Sequence, residues 1–527
     1  MKKHICITLF STVLVLASCA KDHSLDAAFD LADVSIATDD MMTFAVGEES
    51  TYEPVIEWAG TSPADYTYLW TLNGREEICN EQNLKYVFTK TGEQYLTFQM
   101  TDTRTGLVYG RDFKATVSSP FFLGWTVLSE DQGSKASLFS FVHMTSFKCY
   151  PDIYGSSYPD DPLGSEPYGL AFNGIAKSDQ ITVLQRKGGV QILDGATFGK
   201  VCELGSEFVG EKYPEEAGAF PPKMVAYTNR GCDLILTQNG TIYDRLTTSP
   251  TLSSTVFQSA MFTSNRFIHT AGDYNVTYMP TPGGPTYYQL MFDSLKKRWL
   301  AYHIYLYGQY AIPEFTGTAP AGVMDMAKGM GADVVYANTY NESGYKATLA
   351  GIYLKDGKYL LHKADLTLST STYKISVASP AQYEFAPGYQ IDANTRFFIP
   401  RGTGTDYAND LHVFFSVGKK LYFFHGGTQQ TYLYRDFGAG SNAPSGEIVD
   451  IQQNGNAKQL GVAFSDGHFF VLDIAKTNLT AIRQNNLDPT NADQLELAHI
   501  DNIPGRIVAI AFKYGKVANY TGCKIAY

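Results

Sequence analysis

Val462-Ala-Phe-Ser-Asp-Gly467 is a short apolar strand that runs into a polar turn closed by glycine, and the chain uses this unit again and again. Seven further segments share its plan: Trp125-Thr-Val-Leu-Ser-Glu-Asp-Gln-Gly133, Ile181-Thr-Val-Leu-Gln-Arg-Lys-Gly188, Leu234-Ile-Leu-Thr-Gln-Asn-Gly240, Leu290-Met-Phe-Asp-Ser-Leu-Lys296, Ile352-Tyr-Leu-Lys-Asp-Gly357, Val413-Phe-Phe-Ser-Val-Gly418 and Ile510-Ala-Phe-Lys-Tyr-Gly515. Their last residues are spaced 48 to 61 positions apart. A period of about 50 residues built on hairpins predicts a β-propeller, in which each small sheet must bury its faces against its neighbours. Separate sandwiches would need about 100 residues each, and a β-helix would repeat far sooner. The expected propeller spans 121–527, with seven blades, or eight if the first and last hairpins do not share one sheet. Cys523-Lys-Ile-Ala-Tyr527 reads as the strand that seals the ring.

Upstream, Ser118-Ser-Pro120 reads as a linker, and residues 31–118 alternate in the manner of a β-sandwich. Tyr66-Thr-Tyr-Leu-Trp-Thr-Leu72 is a strand with one buried face, Asn73-Gly74 its turn, and Leu84-Lys-Tyr-Val-Phe88 and Tyr95-Leu-Thr-Phe-Gln-Met-Thr101 further strands. Tyr 36, Phe 32 and Gly 47 fit an all-β chain. The order Trp70, Tyr86-x-Phe88-Thr89, Gly92 and Thr101-Asp102 resembles the PKD (polycystic kidney disease) variety of immunoglobulin-like domain. Leu72-Asn-Gly-Arg75 replaces the usual glycine-aspartate-glycine turn, which marks a divergent member.

The N-terminus points to export. Met-Lys-Lys-His is a basic start, and Ile5 to Ala17 is an apolar run of signal-peptide length, too short to span a bilayer. Leu16-Ala17-Ser18-Cys19 is the pattern cut by lipoprotein signal peptidase, so 1–18 is expected to leave, Cys19 to be acylated, and 19–30 to serve as a tether. Of seven cysteines, five remain beyond Cys6 and Cys19. That odd set, without C-x-x-C spacing, is no disulfide framework and no zinc site, and reads as buried free thiols, with a single bridge in an oxidising compartment as the alternative.

A net charge of −12 argues against nucleic acid as a partner. No H-E-x-x-H, G-x-S-x-G or Walker loop is present. The Asp488, Asn491, Asp493, Glu496 cluster lacks the glycine and ligand order of a calcium loop. The histidines are scattered singly and read as structural. Neither catalytic residues, nor a metal, nor a cofactor is legible. Local motifs do not decide against an enzyme, because a propeller can bring two carboxylates together from different blades.

Tyrosines between the hairpins are the expected binding groups: Tyr150, Tyr154, Tyr158 and Tyr168 in a proline-rich stretch, and Tyr274, Tyr278, Tyr287 and Tyr288 around Pro280-Thr-Pro-Gly-Gly-Pro285. Their rings suit stacking on sugars or protein interfaces. Packing between blades is the competing role, and has equal weight for Tyr302 to Tyr307, whose alternation looks like a strand. The lipobox, the PKD-like module and Gly124-Trp125-Thr-Val-Leu-Ser-Glu-Asp131 together resemble the PKD-like family lipoproteins of Bacteroidetes, over nearly the whole chain. The resemblance implies a surface accessory of nutrient uptake beside a TonB-dependent transporter and its substrate-binding lipoprotein, held at the outer membrane by its lipid. Asp22 is the only acid immediately after Cys19, so the periplasmic face stays open. The expected function is non-catalytic binding of a glycan or peptide. The alternatives are a propeller hydrolase or lyase acting on polysaccharide, and a purely structural subunit of the transporter complex.

Overall fold

A computed structural model describes residues 33–37, 41–59, 65–173, 179–204, 221–227, 232–246, 258–259, 274–280, 287–303, 314–401, 410–439, 442–455, 458–489 and 492–514. The signal peptide, Cys19, the tether and the Cys523–Tyr527 segment lie outside these residues. The chain divides into two compact units between Ser118 and Ser119.

The first unit is a sandwich. Its larger sheet orders Met41–Ala45, Val108–Ser118, Gly92–Asp102, Tyr66–Leu72 and Glu76–Cys79, and two strand pairs, Asp33–Ala37 with Val55–Ala59 and Glu49–Tyr52 with Leu84–Val87, complete it. Asn73 and Gly74 both have positive φ, 51° and 68°, as the tight turn requires. Trp70 is fully buried, with Phe98 at 4.7 Å and Phe113 at 5.4 Å, and its indole N–H donates to the Gln82 carbonyl at 3.1 Å. That bond removes the penalty of burying the one polar atom of the ring.

The second unit is a β-propeller of seven sheets among the described residues. Blade II comprises Ser165–Asn173, Gln180–Lys187, Gln191–Asp194 and Lys200–Glu203. The inner strand is Met224–Tyr227 in blade III, Val276–Tyr278 in blade IV, Asp333–Ser343 in blade V, Phe397–Phe398 in blade VI and Ile448–Gln453 in blade VII, and blade V adds Glu314–Thr316 as a fifth strand at its opposite edge. Blade I is shared by the two ends of the unit: Gly124–Glu130, Ser137–His143 and Cys149–Tyr150 accept Arg506–Lys513 as their fourth strand. Trp125 pairs with Phe512 and Val127 with Ile510. Eight hairpin segments therefore make seven blades, because the first and the last lie in one sheet. Among the described residues the closing strand is Arg506–Lys513, ahead of the segment at 523–527.

Gly240, Gly357, Gly418 and Gly467, which end four of the repeated segments, all have positive φ, so a side chain there would be strained. Between the turns the strands read as unbroken apolar runs because each blade is covered on both faces. Val462 packs toward blade VI and the next residue, Ala463, toward blade I. Each of the seven seams holds its own apolar cluster, with Trp125, Phe469 and Ile510 at the seam of blades VII and I. A Cβ on Gly461 would stand 2.7 Å from the Trp125 ring, so the indole takes the space that any side chain there would fill.

Polar side chains fasten the inner strands to one another. Tyr278 of blade IV donates to the Ala337 carbonyl at 2.6 Å and accepts the Ala337 N–H at 3.1 Å. Gln453 of blade VII exchanges two hydrogen bonds with the Arg401 backbone, at 2.7 and 2.9 Å. Asp450 accepts the Ile510 N–H of blade I at 2.8 Å. Lys513, fully buried at the end of the closing strand, pairs with Asp179 of blade II at 2.9 Å and donates to the Phe122 carbonyl at 3.2 Å. Tyr168 of blade II donates to the Pro222 carbonyl at 2.5 Å. Each such bond adds about 1 kcal/mol net, and far more is lost when one partner is removed and the other stays buried.

Candidate functional site

The eight tyrosines singled out from the sequence share one property: none is exposed. Tyr150 ends the outer strand of blade I, half-buried between the Lys148 ammonium at 4.5 Å and the Phe121 ring at 5.4 Å. Tyr154 sits on the short helix Ile153–Ser157 and donates to the Asp161 carbonyl at 2.8 Å, and Tyr158 donates to the Thr197 carbonyl at 3.0 Å. The proline-rich stretch is thus the folded crossing from the outside of blade I to the inside of blade II. Tyr168 and Tyr278 are the inter-blade fasteners described above. Tyr274 packs in the cluster between blades III and IV, Tyr287 stacks on Tyr345 at 4.2 Å, and Tyr288 is buried between blades IV and V. Tyr302 is likewise buried, and 304–307 lie outside the described residues.

The structure instead gathers histidines that look isolated in the sequence. His468 Nδ1 and His499 Nε2 are 2.8 Å apart on blade VII, with His499 stacked on Phe470 at 4.1 Å. On blade VI, His412 and His425 face each other across neighbouring strands, ring centroids 5.0 Å apart, with Asp410 beside them.

A repeated turn positions His425. In blades I, II, V and VI the last residue of the strand third from the inner edge, His143, Asp194, Ser369 or His425, accepts on its side chain the N–H three residues on, from Ser146, Thr197, Thr372 or Thr428, at 2.8 to 3.3 Å. The following residue, Phe147, Phe198, Tyr373 or Gln429, has positive φ and donates to the carbonyl of the first. The sequence signal is an acceptor followed at the third place by Ser or Thr, a pattern our reading of the strands passed over. Its recurrence identifies the Thr428 hydroxyl, 2.9 Å from His425 Nδ1, as part of a turn rather than as an activated nucleophile.

Hydrogen bonds assign the protons at this cluster. Because Nδ1 of His425 accepts the Thr428 N–H, its own proton is on Nε2 and goes to Asp410 Oδ1 at 2.6 Å. His412 Nδ1 donates to the Asp410 carbonyl at 2.8 Å, which leaves the lone pair on Nε2. Arg483, from the helix Lys476–Arg483 of blade VII, lies against the His425 ring with Nη1 3.0 Å from Nε2, and its other terminal nitrogen is 3.9 Å from Asp410 Oδ2. Burial pushes His412 down to about 4 and also lowers His425, the latter against the pull of Asp410. Burial works to raise the Asp410 carboxyl, but the His425 bond and the neighbouring positive charges hold it below the usual carboxylate range. The cluster thus joins blades VI and VII through a paired carboxylate, with two imidazoles and one carboxylate whose ligand atoms all lie within 4.8 Å of one another.

Residues 28–165 match the PKD-like family, so the chain carries a PKD-like domain, and the match runs past the sandwich through the first three strands of blade I. No curated protein is matched by sequence. Among solved structures, a quinonprotein alcohol dehydrogenase-like protein from Bacteroides thetaiotaomicron is 13% identical, with 91% of this chain and 99% of that chain covered and a TM-score of 0.42. A candidate 6-phosphogluconolactonase from Bacteroides uniformis is 11% identical, covering 74% and 99%, with a TM-score of 0.41. The Nup133 β-propeller domain of Vanderwaltozyma polyspora is 10% identical, covering 71% and 95%, with a TM-score of 0.34. The propeller itself rests on the strand pairing above. Among the described residues no helix is long and apolar enough to cross a membrane, and Cys79 and Cys149 are free thiols.

Proposed function

We propose that this chain is an exported lipoprotein, acylated on Cys19 and held at the outer membrane, whose propeller binds a glycan, a peptide or a transporter partner in nutrient uptake. The observation that carries the reading is the PKD-like match over residues 28–165, which includes the Gly124–Asp131 segment on which the family resemblance was drawn. The lipobox supports the anchor. Fasteners between blades support a binding role, since a ring whose inner strands are tied together presents its loops at little ordering cost. The test has two arms. Metabolic labelling with a fatty acid should mark the wild type and not Cys19→Ala, and the label should sediment with outer membranes. Crosslinking from those membranes should then recover a TonB-dependent transporter or its substrate-binding lipoprotein. An unlabelled, freely soluble wild-type protein would end the anchor reading, and crosslinks to neither component would end the uptake reading. Accessibility of whole cells to an antibody distinguishes the surface from the periplasmic face.

One observation favours a second reading, a hydrolase or lyase acting on polysaccharide: His425 of the neighbouring strand converges with the Asp410-Leu-His412 pair. It predicts new reducing ends or unsaturated products from a purified polysaccharide, lost in Asp410→Asn. A screen of acidic and neutral polysaccharides without turnover would remove it.

A further inference from the structure

We propose that Asp410, His412 and His425 form a mononuclear site for a divalent cation of the Zn2+ class, at which Arg483 stands as the resident positive charge until the metal displaces it. Three features of the described residues carry this. First, two imidazole nitrogens and a carboxylate oxygen lie within 4.8 Å of one another, so they close by at most about 1.5 Å to reach the roughly 3.3 Å separations set by bonds of about 2.0–2.1 Å in a tetrahedral site. Second, each histidine has an acceptor for the nitrogen that would face away from the metal: His412 Nδ1 already donates to the Asp410 carbonyl, and Thr428 Oγ1 stands 2.9 Å from His425 Nδ1. Such outward bonds hold metal-binding imidazoles in the right tautomer. Third, the cluster already carries a cation. Arg483 reaches both Asp410 and His425 from the last residue of its helix, and turning away would leave three ligands and an open position.

Loading requires one rearrangement within His425. Its proton moves from Nε2 to Nδ1, where the Thr428 hydroxyl accepts it in place of the Thr428 N–H interaction, and Nε2 becomes a ligand. Asp410 is already the anion, so no net proton is released. Two nitrogens and one oxygen suit Zn2+ over Mg2+ or Ca2+, which prefer oxygen ligands. The inference does not depend on catalysis or on the uptake reading, because a structural zinc fastening the two paired strands of blade VI would need the same ligands.

The test is calorimetric titration of the mature full-length chain, stripped with chelator, with ZnCl2, followed by Co2+ loading to read tetrahedral coordination from its visible absorption. Wild type should bind one Zn2+ per chain. His412→Gln and His425→Gln should each weaken binding by well over about 100-fold, beyond the roughly 10- to 100-fold loss typical of an outer-shell change. Arg483→Met should tighten it by about tenfold, because the competing charge is gone. Far-UV circular dichroism of each variant establishes that it is folded, and Arg483→Met keeps the test valid should a histidine variant not fold. Absence of binding in both wild type and Arg483→Met would overturn the proposal, as would one-to-one binding that His412→Gln and His425→Gln leave unchanged.

Discussion

Replacing Lys513 by methionine removes one ammonium and keeps most of the apolar stem. The side chain is fully buried, its Nζ lies 2.9 Å from Asp179 Oδ2, and Asp179 is 15% exposed. Breaking a buried ion pair from one side costs about 3–5 kcal/mol, because the other charge stays desolvated. The partial exposure of Asp179 places the effect near the lower end, at about 3 kcal/mol. An unfolding entropy of about 2.1 cal/mol/K per residue over a unit of about 400 residues then gives a Tm shift of about 3 to 4 °C. Scanning calorimetry should show the fall in the propeller transition and leave that of the sandwich unmoved. Burial lowers the pKa of Lys513 while Asp179 opposes that shift, so the pair is the source of the charge held at this seam. The double variant Lys513→Met with Asp179→Asn should therefore recover part of the loss. A shift below about 1 °C, or strict additivity of the two single changes, would refute the claim that this pair locks the ring.

Two further outcomes follow from groups inside the ring. Tyr278→Phe should destabilise the propeller by about 1–3 kcal/mol, since the Ala337 N–H and carbonyl lose a shared partner, and it should leave ligand or partner binding unchanged; loss of binding with unchanged thermal stability would show that Tyr278 serves a ligand instead. His362 is buried, donates Nε2–H to the Met324 carbonyl at 3.1 Å, and has its pKa pushed down by burial to about 4. The folded state therefore takes up the proton later than the unfolded chain, whose histidine titrates near 6.5, and stability is lost as pH falls from about 6.5 to about 4. This group accounts for about 3 kcal/mol of that loss. Urea midpoints between pH 7 and pH 4.5 should fall less steeply in His362→Gln than in wild type, and equal slopes would contradict the assignment.

Much of the fold is legible because it is written locally. An apolar strand, a turn glycine with positive φ and a returning strand are features of about ten consecutive residues, and their recurrence every 48 to 61 positions is what a ring of blades requires. The Asn73-Gly74 turn and the burial of Trp70 in the sandwich are of the same kind. The candidate site was not written that way. Each of its histidines resembles any other strand histidine until Arg483, 58 positions beyond His425, is brought across a seam. The tyrosine-rich stretches were read as open loops because aromatic density does not reveal direction, and the folded crossings turned Tyr154, Tyr158, Tyr168 and Tyr278 toward carbonyls of neighbouring segments.

What the amino-acid order determined by itself was the all-β character, the repeat length, the division near Ser118, and the expectation of an acylated Cys19. Only the tertiary structure decided that eight hairpins make seven blades, that Lys513 meets Asp179 across 334 positions, and that an aspartate and two histidines converge. The physical reason is that strand and turn preferences act between neighbours along the chain. Contacts between blades depend on how rigid sheets dock, which is set by the sum of seven apolar seams rather than by any one segment.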